Sequence, residues 1–498
     1  MSLKWCMESP LPLPTKSGST SILSMQINRN KLSCLLSLLL MAALLFHSDT
    51  QILALVKNEY DPTTLVFPSF LHTMGIRKAT KWHLMVYTKN RVKVRDPQGL
   101  AIVRLKTLDD PKTTKDDDEV TGYGVNSGQN IIVYNKSMTS LGFYGRNEKG
   151  QKRLDNPTGV AANDRGDVYV IDTGNHRLIR LFNSGKSLKF VRAIGGKGSL
   201  PGLFLRPRGV AMDAHGMVYV ADFGNHRIQV IRPDDKLHVW FGHQGVEDGQ
   251  LWHPTGVAAT NGRERWSHFK DAFIAVIDLD GQRLQKFTLD GKLLGAVHLQ
   301  ELGFSKGEMN YLALDYYSNI WVTDRVNNCI HKFDRNLVHL TSFGRKGSGN
   351  KEFNEPRGIA IHKRFGQVFI AEKESAQYYW IGTDIRDLKS SWNPEPGLSS
   401  LTFFLTEPSY ITLTVEDKDS GSKQTLFERV KYDSAAQEII LDGYWHRVPS
   451  QRAKNAAVAT AERPPGKPGS YVLKLKVEPT YSSINYFAKE VETSLSIP

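Results

Sequence analysis

The sequence predicts an all-β fold: a closed six-bladed β-propeller followed by a small β-sandwich. Three observations carry this. The phrase Val168-Tyr-Val-Ile-Asp172-Thr-Gly174-Asn175-His176-Arg177 returns as Val218-Tyr-Val-Ala-Asp222-Phe-Gly224-Asn225-His226-Arg227, a step of 50 residues. A period of that length marks a propeller or solenoid array. A second phrase precedes each copy, as in Pro157-Thr-Gly-Val-Ala and Pro207-Arg-Gly-Val-Ala, and recurs six times along the chain. After Trp392-Asn-Pro-Glu-Pro-Gly397 the repeat stops, while short alternating apolar runs continue.

Residues 1–54 come first. Residues 32–46 are an almost unbroken apolar run behind Arg29 and Lys31, with Ala54 as a small residue at the exit. The run is short for a bilayer, which takes about 20 residues. A positive start, a short apolar core and a small-residue exit describe a secretory signal peptide with an upstream extension. The alternative is an uncleaved anchor at residues 32–46. The expected location is therefore secreted, periplasmic or cell-envelope, with membrane contact only through such an anchor.

Residues 55–80 read as a linker and 81–390 as the propeller. The later copies are Phe273-Ile-Ala-Val-Ile-Asp278-Leu-Asp-Gly281-Gln-Arg283, Ile320-Trp-Val-Thr-Asp324 and Val368-Phe-Ile-Ala-Glu372; a worn first copy spans 120–134. Each unit reads as four strands, for example 159–162, 168–171, 178–182 and 190–194, from alternation and β-branched content. Turn chemistry sits between them at Asn163-Asp-Arg-Gly166 and Asp172-Thr-Gly174-Asn175, where Gly is expected to take positive φ. Four strands cannot bury both faces alone, so six units bury one another in a ring. Trp82 to Tyr87 and Arg91 to Arg95 read as paired strands that complete a weak sixth blade.

The Asn175-His176-Arg177-Leu178 and Asn225-His226-Arg227-Ile228 signatures, each behind Val-Tyr-Val-x-Asp, resemble NHL repeats over roughly residues 95–390. The resemblance implies a six-bladed propeller. It does not imply a ligand, because one fold hosts many functions.

Residues 391–400 read as a linker, 401–480 as a sandwich and 481–498 as a tail. Tyr410-Ile-Thr-Leu-Thr-Val415, an Asp442-Gly443 turn beside Trp445, and Pro468-Gly469-Ser-Tyr471 resemble the immunoglobulin-like domain of flagellar hook-cap proteins. Such modules act as spacers or adhesion units.

The chain carries a formal charge of +13, and about +11 remains without residues 1–54. A basic surface favours anionic partners. For an exported chain the expected partner is a protein or an anionic envelope polymer. RNA is the third reading, because tripartite-motif NHL propellers bind it, but no RING or B-box pattern precedes this propeller. Cys6 and Cys34 lie in or before the targeting segment, so Cys329 has no disulfide partner and reads as strand filler.

Asp172, Asp222, Asp278 and Asp324 recur at strand ends, with Asn175, Asn225, Arg177, Arg227 and Arg283 following. Recurrence in every unit favours a structural pairing of each Asp with its Arg over catalysis. Peptidyl-hydroxyglycine amidating lyases resemble this architecture and place zinc-binding His after the Pro of a Pro-x-Gly-like motif. Here that position holds Gln98, Thr158, Arg208, Thr255, Asn310 and Arg357, so the zinc ligands are missing. No catalytic residue and no cofactor is expected; a hydrolase or lyase holding Ca2+ or Zn2+ in the channel is the runner-up. If the six positions ring one channel mouth, Arg208 and Arg357 face a shared pore and can hold a carboxylate or phosphate. The insertion around Arg263, Arg265 and Trp266 is the second candidate contact, since long loops on rigid scaffolds carry recognition. The expected function is an exported, non-enzymatic binding or scaffold protein. The sequence does not fix an oligomeric state.

Overall fold

The computed structural model describes residues 62–68, 77–88, 91–107, 120–137, 140–395, 397–442, 445–447 and 467–498. Residues 1–54, where a targeting segment is expected, lie outside them. No helix among the described residues is long and apolar enough to cross a membrane.

The fold is all-β and built of repeated four-stranded antiparallel sheets, the blades of a β-propeller. The second unit shows the pattern: Pro157–Ala162, Asp167–Asp172, Arg177–Asn183 and Leu188–Gly195 pair in sequence order. Among the described residues five such sheets have first strands at Pro97–Arg104, Pro157–Ala162, Val210–Met212, Gly256–Asn261 and Met309–Leu314, and a five-stranded sixth sheet contains Ile359–His362 as its innermost strand. Apolar side chains from neighbouring sheets share each core. Tyr123, Val125 and Ile132 of the first unit pack with Val160, Val168 and Val170 of the second; Ile274 and Val276 of the fourth pack with Tyr219 and Val230 of the third. Each fully buried aliphatic contributes roughly 1.5–3 kcal/mol relative to exposure.

The first strands approach one another through their glycines. A Cβ on Gly99, Gly159, Gly209 or Gly256 would lie no more than 2.8 Å from the carbonyl oxygen of Thr158, Arg208, Thr255 or Asn310 in the next unit. Gly358 of the sixth unit meets the Gln98 carbonyl of the first in the same way. That last contact returns to the start of the array and closes the ring.

The turn between second and third strands is not made as expected. Gly174 does not take positive φ; its missing side chain leaves room for the Asp155 carboxylate. The left-handed residue is the next but one, His176 at φ 55°, matched by Asn130, His226 and Asn328 at φ 54–55°. Asn tolerates that region through local hydrogen bonding; His there is part of what the Asn-His-Arg triplet encodes.

The N-terminal closure also differs from expectation. Residues 82–87 belong to a helix, Lys81–Tyr87, not a strand. Local bonds favour it: the Thr80 amide donates to His83 Nδ1 at 3.1 Å, and the Thr88 hydroxyl donates to the Leu84 carbonyl at 2.6 Å. Residues 91–95 form no strand because side chains take their backbone groups. The Lys93 amide donates to Gln129, the Arg95 amide donates to Asn126, and Asn126 donates back to the Lys93 carbonyl. The sixth sheet is completed instead from the segment expected as linker: Leu65–Val66 and Lys78–Thr80 both pair with Ser375–Ile381.

The C-terminal region is a two-sheet β-sandwich. Ile385–Asn393, Leu398–Leu405 and Ala435–Asp442 form one sheet; Lys423–Tyr432, Ser409–Asp417, Gly469–Pro479 and Lys489–Ile497 form the other. Alternate residues such as Leu401, Phe403, Ile411, Leu413, Leu473 and Leu475 fill one core between them. Residues 391–400 thus lie largely within strands, and the 481–498 segment holds an edge strand. The sandwich docks on the fifth and sixth units. Lys332, fully buried, donates to the Thr406 carbonyl at 2.7 Å and pairs with Glu407. The Tyr317 hydroxyl donates to Thr480 at 2.9 Å, and the Tyr481 hydroxyl accepts the Tyr316 amide at 3.2 Å. Cys329 is a buried strand residue whose thiol burial pushes up to about 12.

Candidate functional site

The recurring acids are staples within the scaffold. Asp172 accepts the Asp155 amide at 2.6 Å and the Arg177 guanidinium at 2.8 Å, and Asn175 donates to it. Asp222 accepts the Leu205 amide, Arg227 and Asn225 at 2.8–2.9 Å. Asp278 accepts the Trp252 amide at 3.0 Å and a fully buried Arg283 at 2.7 Å. Asp324 departs from the pattern: it accepts the Glu308 amide at 3.1 Å and meets His331, not an Arg, at 3.3 Å. Burial alone would raise its carboxyl, but hydrogen bonds from His331 and from the Asn327 and Glu308 amides hold it down at about 2. Each carboxylate ties the loop entering its unit to the turn inside that unit. All four are fully buried, and none lines the cavity described next.

Every residue that follows the Pro of the recurring Pro-x-Gly phrase, or its equivalent, lines one cavity of about 330 Å³: Gln98, Thr158, Arg208, Thr255, Asn310 and Arg357. They reach it because each stands at the start of an innermost strand. Arg357 forms ion pairs with Asp96 and, at 3.3 Å, with Glu355, and donates to the Pro97 carbonyl at 3.2 Å. Arg208 differs. Its guanidinium lies 4.0 Å from the centre of the Phe223 ring and meets no carboxylate or hydrogen-bond acceptor among the described residues. Burial, with the neighbouring charge of Arg206, pulls its pKa below the ordinary value.

Tyr311 forms the cavity's far wall. It stands where the other five units carry Gly, and its side chain crosses the ring to the first and second units. There its single hydroxyl proton is shared between the Gln98 side-chain oxygen at 2.8 Å and the Thr158 carbonyl at 3.2 Å. The cavity is therefore blind at this level. Glu308 and Arg325, paired with each other, also line it, as do Asp96 and Arg206.

The insertion lies elsewhere. It joins the first and second strands of the fourth unit, Gly256–Asn261 and Ala272–Asp278, at the end of the innermost strand remote from Thr255. Trp266 sits between Arg265 at 5.0 Å and Arg364 of the sixth unit at 4.8 Å, while Arg263 is exposed. Arg208 and Arg357 share one site; Arg263, Arg265 and Trp266 are on the opposite face.

Sequence reasoning missed Tyr311, Arg206, Asp96, Glu308 and Arg325. Tyr311 had a signal, the loss of Gly in Met309-Asn-Tyr. The others lie in loops whose approach to the axis has no sequence mark. Among the described residues, no cluster of three or more His, Cys, Asp or Glu side chains could hold a metal ion.

The family model for the NHL repeat matches residues 154–181 and 204–231, which are the two units with an intact Asn-His-Arg triplet. No curated protein matches the chain. Solved structures are similar at low identity. Virginiamycin B lyase from Staphylococcus aureus is 12% identical, with 54% of this chain and 83% of that chain covered, at a TM-score of 0.38. A protein of unknown function from Bacteroides thetaiotaomicron is 16% identical over 58% of this chain and 70% of that one, at 0.41. Hydrazine synthase from Kuenenia stuttgartiensis is 12% identical over 63% and 78%, at 0.38. The chain carries NHL repeats and is similar in structure to propeller-type proteins.

Proposed function

We propose that this protein is an exported binding scaffold: a six-bladed NHL propeller presents a polar cavity at its channel mouth to an anionic envelope polymer, and an immunoglobulin-like sandwich acts as a spacer. The observation that carries the reading is Arg208, a guanidinium held against Phe223 and facing the cavity without a carboxylate. A cation left unpaired in a partly buried site is costly unless an anion joins it. The grouping of the sandwich strands into sheets of three and four supports the immunoglobulin-like assignment. Export rests on the composition of residues 1–54. The reading needs no catalytic group and no cofactor.

The test is a titration of the full chain with a purified acidic polysaccharide at several salt concentrations, beside metal analysis of the same preparation. Binding that weakens with salt, from protein without stoichiometric metal, is expected. Stoichiometric calcium or zinc would favour a hydrolase or lyase instead. A preference for RNA over the polysaccharide would favour the nucleic-acid reading.

A further inference from the structure

The six cavity positions divide into two arcs. Arg357, Gln98 and Thr158 are engaged within the protein, although the Arg357 Nε is left without a partner. Arg357 is paired as above, Gln98 donates to Asp96 at 3.0 Å and accepts from Tyr311, and the Thr158 hydroxyl donates to the Arg208 carbonyl at 2.8 Å. Arg208, Thr255 and Asn310, on three consecutive units, are not. The Arg208 guanidinium and the Asn310 carboxamide have no hydrogen-bond partner among the described residues. The Thr255 hydroxyl has only a long 3.4 Å bond to the Ile277 carbonyl.

The chemistry of a fitting occupant follows. The cavity is lined by four guanidiniums and two carboxylates. Asp96 and Glu308 are taken up by Arg357 and Arg325, so the surplus charge lies at Arg206 and Arg208. The ring of Phe223, itself stacked on His253 at 4.4 Å and 7°, covers one face of the Arg208 guanidinium. The guanidinium edge stays free, and that edge matches a planar carboxylate in a two-point contact. No aliphatic side chain lines the cavity, so the rest of the occupant is polar too. Asn310 offers both a donor and an acceptor, as hydroxyl groups require. Tyr311 blocks passage, so the occupant is compact or a chain end.

Building on the binding reading above, we propose that the cavity takes a sugar acid, with its carboxylate on Arg208, its hydroxyls on Asn310 and Thr255, and Tyr311 beneath it.

Calorimetric titration of the full chain with D-glucuronate, D-glucose and inorganic phosphate tests this, beside an acidic polysaccharide. Glucuronate should bind, and glucose and phosphate should bind at least about ten-fold more weakly, the factor expected for a charged hydrogen-bonded pair. Arg208→Ala should weaken glucuronate binding about ten- to a hundred-fold, and Asn310→Ala a few-fold. Arg208→Lys keeps the charge but loses the fork, and it should also bind about ten-fold more weakly; it carries the test if the alanine variant melts early. Equal binding of glucose and glucuronate, tighter phosphate binding, or unchanged affinity in folded Arg208 variants would overturn the proposal. If the polysaccharide binds while glucuronate does not, the sugar-acid site fails and the scaffold reading stands. If neither binds, both fail.

Discussion

The two arcs of the channel mouth are built on the same backbone and do opposite things. Gln98, Thr158 and Arg357 occupy the same repeat position as Thr255, Asn310 and Arg208. On the first arc the Arg is taken up by Asp96 and Glu355, and Tyr311 reaches across to seal Gln98. On the second arc the cavity acid Glu308 is paired with Arg325, and Arg208 is propped on an aromatic ring instead. The backbone is held by the same glycine contact in five of the units, and in each unit by a buried carboxylate or its Asn126 counterpart. Function is therefore free to vary at one residue per unit without touching the ring. The closed arc is tied into the ring, and on the proposed reading the open arc is what the ring presents.

The largest effect should come from breaking a staple that both arcs depend on. Asp222→Ala removes the counter-charge of Arg227, which keeps the Leu200 and Leu203 carbonyls, and leaves the Leu205 amide unpaired; loss of one partner of such a buried pair costs about 3–5 kcal/mol. Chemical denaturation should show that loss. A wild-type midpoint would mean that the repeated acids do not hold the ring.

Acid should act next. The Asp324 carboxyl is held at about 2 in the folded chain, below an unfolded value near 3.9. Its stabilisation is therefore complete above about pH 4 and is lost as pH falls through about 2, an effect on the order of 2 kcal/mol. Asp324→Asn should flatten the fall in stability over that window. An equally steep fall in the variant would contradict the assignment.

The smallest effects separate the arcs directly. Arg357→Ala should cost about 1–2 kcal/mol, because Asp96 loses its cationic partner in a part-exposed setting, while Glu355 keeps Lys373 at 2.6 Å. Arg208→Ala should leave stability within about 0.5 kcal/mol, because losing the contact with the Phe223 ring and relieving an unpaired, half-buried cation act in opposite directions. Equal losses in paired thermal melts would erase the distinction between the arcs.

The repeat made the ring legible. The step from Asp172 to Asp222 and the recurring Pro-x-Gly phrase located the sheets, and the position after Pro picked out the six cavity residues before any geometry was known. Local competition hid the rest. Trp82 to Tyr87 alternates like a strand, but Thr80 and Thr88 offer helix-end hydrogen bonds that alternation does not register. Leu65–Val66 and Lys78–Thr80 are too short to show a period. The strand Lys489–Ile497 alternates exposed residues with half-buried Lys489, Val491 and Thr493 before the buried Leu495 and Ile497, so its apolar side is legible only at its end. Glu355 stands two residues from Arg357 in the sequence, but whether that Arg is fully paired depends on Asp96 of the first unit reaching it in space, which residue spacing does not report.

Hydrogen–deuterium exchange of the full chain with and without D-glucuronate tests the central claim most directly. The account predicts slowed exchange around Arg208, Thr255 and Asn310, with no change around Gln98 and Arg357. Protection on the Gln98 and Arg357 side, or none at the channel mouth at a glucuronate concentration that saturates the chain, would contradict it.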